Sequence, residues 1–181
     1  MGEKQALRPY QEAARKSIHT EWENGRLRTL LVLPTGTGKT IVFASVAADQ
    51  VRAGDRVLIL AHRGELLEQA ADKLQRSTGL VSAVEKAEST CLDSWYRVVV
   101  GSVQTLQRPA RLERFPRDYF GTIIIDEAHH SITDGYRRIL DYFGSAKVLG
   151  VTATPDRGDM RNLGEVFDSL AYEYKLTDAI K

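Results

Sequence analysis

Apolar residues fall into short unbroken runs separated by longer stretches with helical spacing. Thr29-Leu30-Leu31-Val32-Leu33, Arg56 to Ala61, Arg97 to Val100, Thr122 to Ile125 and Lys147 to Val151 are such runs. Each is rich in Val, Ile or Leu throughout, as expected of strands covered on both faces. Leu80 to Val84 and Ala171 to Lys175 read as two further strands. Between them the spacing changes. From Pro9 to the Asn24-Gly25 turn, Ala14, Ile18 and Trp22 recur at spacing four and predict a helix that begins at a proline. Helices are also predicted from Ile41 to about Val51, over Glu65 to Arg76, briefly at Val103–Leu106, over Tyr136 to Phe143, and from Thr177 onward. Residues 85–96 read as a surface excursion, 107–118 as irregular, and 158–170 as helical or irregular. Alternating strands and helices predict an α/β domain with a mainly parallel sheet.

In such a sheet the strand ends share one edge, and ligands bind there. Four strands end in polar residues with chemical capability. The first ends at Leu33-Pro34-Thr35-Gly36-Thr37-Gly38-Lys39-Thr40, a glycine-rich turn between a strand and a helix. Glycines let backbone N–H groups turn inward around a phosphate, and the start of the next helix adds free N–H groups. Lys39 is placed to reach the outer phosphates, and the Thr40 hydroxyl to hold Mg²⁺. The usual phosphate-loop pattern opens with Gly, whereas this chain has Leu33. A plain glycine-rich turn with a solvated Lys39 is the alternative; Lys-Thr directly after Gly38 favours nucleotide binding.

The other three strands end at Ala61-His62-Arg63, at Asp126-Glu127-Ala128-His129 and at Thr152-Ala153-Thr154-Pro155. Asp126 at a buried strand end can hold Mg²⁺ opposite Thr40, and Glu127 can deprotonate a water. A solvated acidic turn is the alternative, which the phosphate loop upstream disfavours. His19, His62, His129, His130 and Cys91 show no zinc-like spacing, so Mg²⁺ is the only metal ion expected.

Composition narrows the class. The chain has 181 residues, 43% hydrophobic and 27% charged, which predicts one globular domain and excludes disorder. A net charge of +1 gives no bulk nucleic-acid signal but leaves room for a local basic stripe. With Cys91 as the only cysteine there is no internal disulfide, which fits a reducing compartment. No apolar run approaches a membrane span, and the first residues lack a signal-peptide pattern. A cytoplasmic protein without a membrane partner is expected.

The ordered motifs resemble the first motor domain of a superfamily 2 helicase of the DEAH-box type. Leu7-Arg8-Pro9-Tyr10-Gln11 resembles the Q motif, the phosphate loop motif I, and Ala61-His62-Arg63-Gly64-Glu65-Leu66 motif Ia. Gly101-Ser102-Val103-Gln104-Thr105-Leu106 resembles motif Ib, Asp126 to His129 the DEAH box, and Thr152-Ala153-Thr154 motif III, with Thr where many members have Ser. Within that family the chain looks most similar to the restriction-subunit, RadD-like and XPB-like branch. The resemblance implies a RecA-like three-layer sandwich that binds ATP with Mg²⁺. It implies Gln11 and Arg8 for adenine; Pro34, Thr35, Gly36, Thr37, Gly38, Lys39 and Thr40 for the phosphates; Thr40 and Asp126 for the metal; and Glu127 as catalytic base. It puts Arg63, Ser102, Gln104 and Thr105 near a nucleic-acid backbone, and has His129, Thr152 and Thr154 couple nucleotide state to that track. Ordinary loop and helix-surface roles stay open for Gln11 and for the four backbone candidates.

The branch favours DNA over RNA. A superfamily 2 motor pairs two RecA-like domains, and nothing after Pro155 resembles the second. The expectation is therefore the ATP-binding half of a motor, completed in cis or in trans. A one-domain nucleotide-binding regulatory module is the alternative.

Overall fold

The computed structural model describes residues 7–34, 38–61, 72, 75–76, 82–85, 97–130, 133–153 and 156–173. Seven strands form one sheet: β1 (Arg28–Val32), β2 (Val57–Ala61), β3 (Ser82–Glu85), β4 (Val98–Ser102), β5 (Thr122–Asp126), β6 (Lys147–Thr152) and β7 (Ser169–Glu173). Their order is β3-β4-β2-β5-β6-β1-β7. Every pairing is parallel. All strand C-termini therefore meet one edge.

Strand side chains alternate between two cores, one on each face of the sheet. Leu30, Val32, Leu58, Leu60, Val99, Ile123, Ile125 and Val148 point to one face. There they meet α3 (Val103–Leu106), α4 (Pro109–Leu112), α5 (Asp134–Tyr142) and α6 (Arg157–Leu163). Leu31, Leu33, Val57, Ile59, Val98, Val100, Ile124, Leu149 and Val151 point to the other, against α1 (Pro9–Glu23) and α2 (Lys39–Arg52). The result is the expected three-layer sandwich. The five strands with described side chains that lie inside the sheet are buried on both faces, which is why their sequences are apolar runs and not alternations.

Pro9 stands in the first turn of α1, where a missing N–H costs nothing. Ala14, Ile18 and Trp22 form its buried stripe. Charge fastens it to α2. Asp49 accepts from Arg15 at 2.6 and 2.5 Å, lies 2.9 Å from His19 Nε2, and accepts from Arg52 at 2.9 Å. Burial raises the Asp49 carboxyl; hydrogen bonds from Arg15 and His19 outweigh it and hold the group below its ordinary value.

Some elements differ from the sequence expectation. β4 runs on through Gly101 and Ser102, since both stay in register with Leu60 and Ala61 of β2. α4 lies inside the stretch expected to be irregular: Pro109 starts it after an extended Arg108. The 158–170 stretch divides into α6 and the start of β7, whose extent follows its partner β1 from Thr29↔Ser169 onward. β3 occupies Ser82–Glu85, within and just past the expected Leu80–Val84. Of the Glu65–Arg76 helix, residues 72, 75 and 76 are helical, and Arg76 donates to Asp72 at 3.3 Å. Of the excursion expected at 85–96, Glu85 belongs to β3 and the rest lies outside the described residues, as does the helix expected from Thr177.

Replacing Asp49 by Ala removes three partners at once from the seam between α1 and α2. A loss of about 1–2 kcal/mol is expected, discounted from the usual charged hydrogen-bond range because Arg15 is partly exposed. The folded carboxyl is depressed, so its stabilisation is complete above about pH 4 and fades as pH falls through the lower folded value. Urea midpoints at neutral and acid pH check this: the gap between parent and variant should close in acid, and equal midpoints at neutral pH contradict it.

Candidate active site

The order β5-β6-β1 sets the site. β6 lies between the strand that enters the phosphate loop and the strand that ends in Asp126. Val32 pairs with Thr152 and Asp126 with Val151. The ladder extends one residue past β1, where the Leu33 N–H donates to the Thr152 carbonyl at 3.0 Å. Leu33 is fully buried in the core beneath α1 and α2. That accounts for its departure from the Gly pattern: the position still belongs to the sheet and is filled by core.

Pro34 is buried, and Thr35, Gly36 and Thr37 lie outside the described residues. Gly38 caps α2 in the left-handed region, at φ +79. A Cβ there would stand 2.6 Å from Gln11 Nε2. Two constraints thus require glycine. Gln11 is 3% exposed, and its Oε1 accepts the Arg8 N–H at 2.8 Å. It ties the start of α1 to the phosphate loop, which sequence spacing did not reveal. Arg8 is exposed beside it.

Lys39 opens α2, and its Nζ lies 3.1 Å from Glu127 Oε1. The two side chains are partly buried, at 16% and 36% exposure, so the pair closes the site from both sides. Glu127 has φ +53, the only described non-glycine residue in the left-handed region. Its N–H donates to Asp126 Oδ1 at 2.9 Å, a local bond that supports the turn. The chain then enters a 3₁₀ turn, Ala128–His130. His129 Nδ1 lies 3.2 Å from Thr152 Oγ1 and 3.6 Å from Glu127 Oε2. The DEAH stretch and motif III are therefore in direct contact through His129 and Thr152.

Two further residues shape this corner, and neither carries a motif signal. Gly150 lies in mid-strand, where a Cβ would stand 2.3 Å from the Phe167 ring and 3.0 Å from the Ala128 Cβ. Its bare backbone lets the 3₁₀ turn settle onto β6. Tyr136 of α5 is fully buried; burial, then the charges of Asp126 and Glu127, push its phenol above its ordinary value, so it stays neutral.

The donor set fits a hard cation held with phosphate oxygens. Thr40 in the first turn of α2 and Asp126 at the end of β5 are both half-buried oxygen donors. No described group of three or more His, Cys, Asp and Glu is arranged to hold a metal alone. A cation here would need further donors from a bound ligand or water.

The backbone candidates divide. Ser102 and Thr105 are buried, and their hydroxyls face each other at 3.0 Å; Ser102 Oγ also caps α3 by accepting from the Thr105 N–H at 3.2 Å. Gln104 is exposed. Arg63 and Thr154 lie outside the described residues, as does the rest of motif Ia beyond Ala61.

Comparison with known proteins agrees with this geometry. The family of the type III restriction enzyme res subunit matches residues 4–157. IRC3 of Saccharomyces cerevisiae, a candidate ATP-dependent helicase by its name, is 35% identical over 96% of this chain and 27% of its own length. The chain spans less than a third of the length of this and two other curated relatives that it matches. Among solved structures, the UvsW helicase of bacteriophage T4 superposes with a TM-score of 0.73 at 20% identity, covering 96% of this chain and 62% of that one. The Type ISP restriction-modification enzyme LlaGI, solved with a DNA substrate mimic, gives 0.72 at 18% identity, covering 97% and 20%. At these identities the two structures establish the fold.

Gly38→Ala forces a left-handed alanine and drives its methyl into Gln11. A stability loss of about 1–2 kcal/mol is expected from the backbone alone, with the steric contact added. In a double-mutant cycle measured by urea unfolding, Gln11→Ala should relieve part of the Gly38→Ala loss. Strict additivity would show that the two side chains do not meet.

Proposed function

The chain belongs to the family of the type III restriction enzyme res subunit, with the RecA-like N-terminal domain of superfamily 2 helicases as its fold, and from that premise we propose that it is the ATP-binding half of an ATP-dependent nucleic-acid motor. The observation that carries the proposal is the Lys39–Glu127 pair at 3.1 Å, at the edge where β1, β6 and β5 end together. A phosphate-binding cation and a candidate base already touch across the place the outer phosphates would take.

Each residue then has a task. Gly38, Lys39 and the N-terminus of α2 receive the phosphates, with Pro34, Thr35, Gly36 and Thr37 completing the loop. Lys39 exchanges Glu127 for phosphate oxygens, which frees the carboxylate. Glu127 then orients a water and takes its proton as general base. Thr40 and Asp126 would hold Mg²⁺, which would supply positive charge to the phosphate oxygens when bound. Gln11 and Arg8 read adenine, and loading of the loop bears on α1 through Gln11. His129 and Thr152, with Thr154, carry the change from the DEAH turn into β6 and toward a nucleic-acid track that includes Arg63, Gln104 and the backbone around Ser102 and Thr105.

The reading includes the DEAH-box subtype, on the sequence Asp126 to His129. It includes DNA in preference to RNA, supported by the similar restriction enzyme solved with a DNA mimic. A second RecA-like domain, in cis or in trans, completes the site; an arginine finger from such a partner contributes on the order of 10³–10⁵ in rate in phosphate-transferring motors. A cytoplasmic setting belongs to the same reading.

Two substitutions separate the roles. Lys39→Ala should abolish most Mg-ATP binding in titration calorimetry, and parental affinity would remove Lys39 from the phosphate site. Glu127→Gln should keep binding and slow hydrolysis by roughly 10²–10⁴-fold. A Glu127→Gln variant that loses binding instead would make Glu127 a metal ligand or a structural residue.

A further inference from the structure

Away from the nucleotide site, positive charge is concentrated in one stretch. Residues 108–118 carry Arg108, Arg111, Arg114 and Arg117 against Glu113 and Asp118, in a chain of net charge +1. The backbone arranges them. The Arg111 N–H donates to the Arg108 carbonyl at 3.0 Å, Arg114 N–H to Arg111 at 3.3 Å, and Phe115 N–H to Leu112 at 3.1 Å. The Leu112 N–H also donates to the Arg108 carbonyl and the Glu113 N–H to the Pro109 carbonyl, both at 2.9 Å, so the segment makes one α-helical turn that tightens to i→i+3 bonds at Arg114 and Phe115. Residues three and four apart are neighbours on such a turn.

Leu112 and Phe115 take the core side, at 3% and 1% exposure. Arg108 and Arg114 are exposed and Arg111 is half-buried, and each lies about 5–6 Å from the next along the segment. Arg117 ends the series with its guanidinium 4.5 Å from the Tyr142 ring. The Tyr142 hydroxyl donates to the Phe115 carbonyl, which pins that end. Among the described residues, Arg108 and Arg114 have no ion pair or side-chain hydrogen bond.

The series begins at the nucleotide edge. β4 delivers Ser102 there, beside Ala61 of β2, and β2 adjoins β5. α3 follows with Gln104 exposed, and the arginines continue from Arg108 down the flank toward Gly121, where β5 starts. We propose that Arg108, Arg111 and Arg114 form a phosphate-backbone contact for nucleic acid, which extends the track from Gln104 along this flank. The proposal rests on the motor reading and adds residues to which no nucleic-acid contact was assigned. Closely grouped arginines suit a polymer of phosphates, and the exposed Arg108 and Arg114 can each give a phosphate a forked pair of hydrogen bonds. A protein partner would want an apolar or aromatic centre on this surface, and the exposed large hydrophobic residues among those described, Leu27 and Leu170, lie elsewhere.

The test compares the full chain with a triple variant, Arg108→Ala, Arg111→Ala and Arg114→Ala. The probes are a labelled DNA duplex, its separated single strand, and polyglutamate as a protein-like polyanion, between about 50 and 200 mM salt. The triple variant should bind nucleic acid at least roughly tenfold more weakly at low salt. Its slope of log affinity against log salt should shrink by about 3 on duplex or about 2 on single strand. Mg-ATP affinity should be unchanged, which shows that the variant folds. A triple Arg→Lys variant should retain most of the slope. The probe with the larger slope change identifies duplex or single strand as the ligand. Parental affinity and slope in the triple variant would overturn the flank contact while leaving the motor reading intact. A parent that binds polyglutamate but neither DNA form would overturn both the contact and the nucleic-acid part of the motor reading.

Discussion

The parallel alignment of β5, β6 and β1 is the constraint on which the rest of the structure depends. Parallel strands bring every C-terminus to one edge, and the register then decides which residues meet there. Because Val32 is level with Thr152 and Asp126 with Val151, the start of the phosphate loop and the DEAH turn stand on either side of a single strand. That interval is short enough for Lys39 and Glu127 to touch, and for His129 to reach Thr152. A slip of one residue in β6 would turn its apolar side chains to the opposite faces. It would also separate His129 from Thr152. Core packing and site geometry are therefore fixed by one register, and the two cores enforce it.

Much of this was legible in the sequence because the constraints on it are local. Apolar runs marked β1, β2, β4, β5 and β6, since a strand covered on both faces has no polar side to hide it. Gly38-Lys39-Thr40 and Asp126-Glu127 stood at strand ends, and a parallel sheet gathers strand ends. What stayed hidden depends on contacts between distant parts of the chain. The motif resemblance marks Gln11 for adenine, while its burial against Gly38 follows from how α1 lies over the loop. Ser102 and Thr105 read as candidates near a nucleic-acid backbone, and the fold turns their hydroxyls toward each other at the cap of α3. Gly150 resembles any strand glycine until Phe167 and Ala128 are seen packed on it. α4 escapes the sequence reading because Leu112 is its single buried residue, too little to show periodicity.

Conformational strain is placed where the chemistry is proposed. Glu127 is the only described residue other than glycine with a positive φ. A left-handed conformation is costly for a residue with a side chain. It persists here because neighbours over-determine it. The Asp126 carboxylate holds the Glu127 N–H, the Lys39 ammonium holds its side chain, and Gly150 lets Ala128 seat against β6. Of these supports, the lysine is the one a phosphate group would compete for. On the proposed function, the turn would therefore be held most firmly before phosphate binds, and one of its restraints would be lifted as Lys39 changed partner. His129 lies within reach of both Glu127 and Thr152, so a movement of the Glu127 side chain is felt first at β6.

Charge is distributed in a comparable way. The near-neutral total conceals a division between paired and unpaired groups. On the α1–α2 side, Asp49 gathers Arg15, His19 and Arg52 into a structural seam. On the opposite side of the sheet, Arg108 and Arg114 stand without described partners, and Arg117 rests on an aromatic ring. Net charge sums over both populations and cannot distinguish a seam from a surface. Only the unpaired group keeps its field available to a polyanion, because a paired arginine has its charge cancelled at short range and must lose a partner before it gains another. The capacity to bind a charged polymer is thus set by which arginines the fold leaves unpaired and where it groups them, and the short helical segment around Pro109–Leu112 brings Arg108 and Arg114 onto one flank.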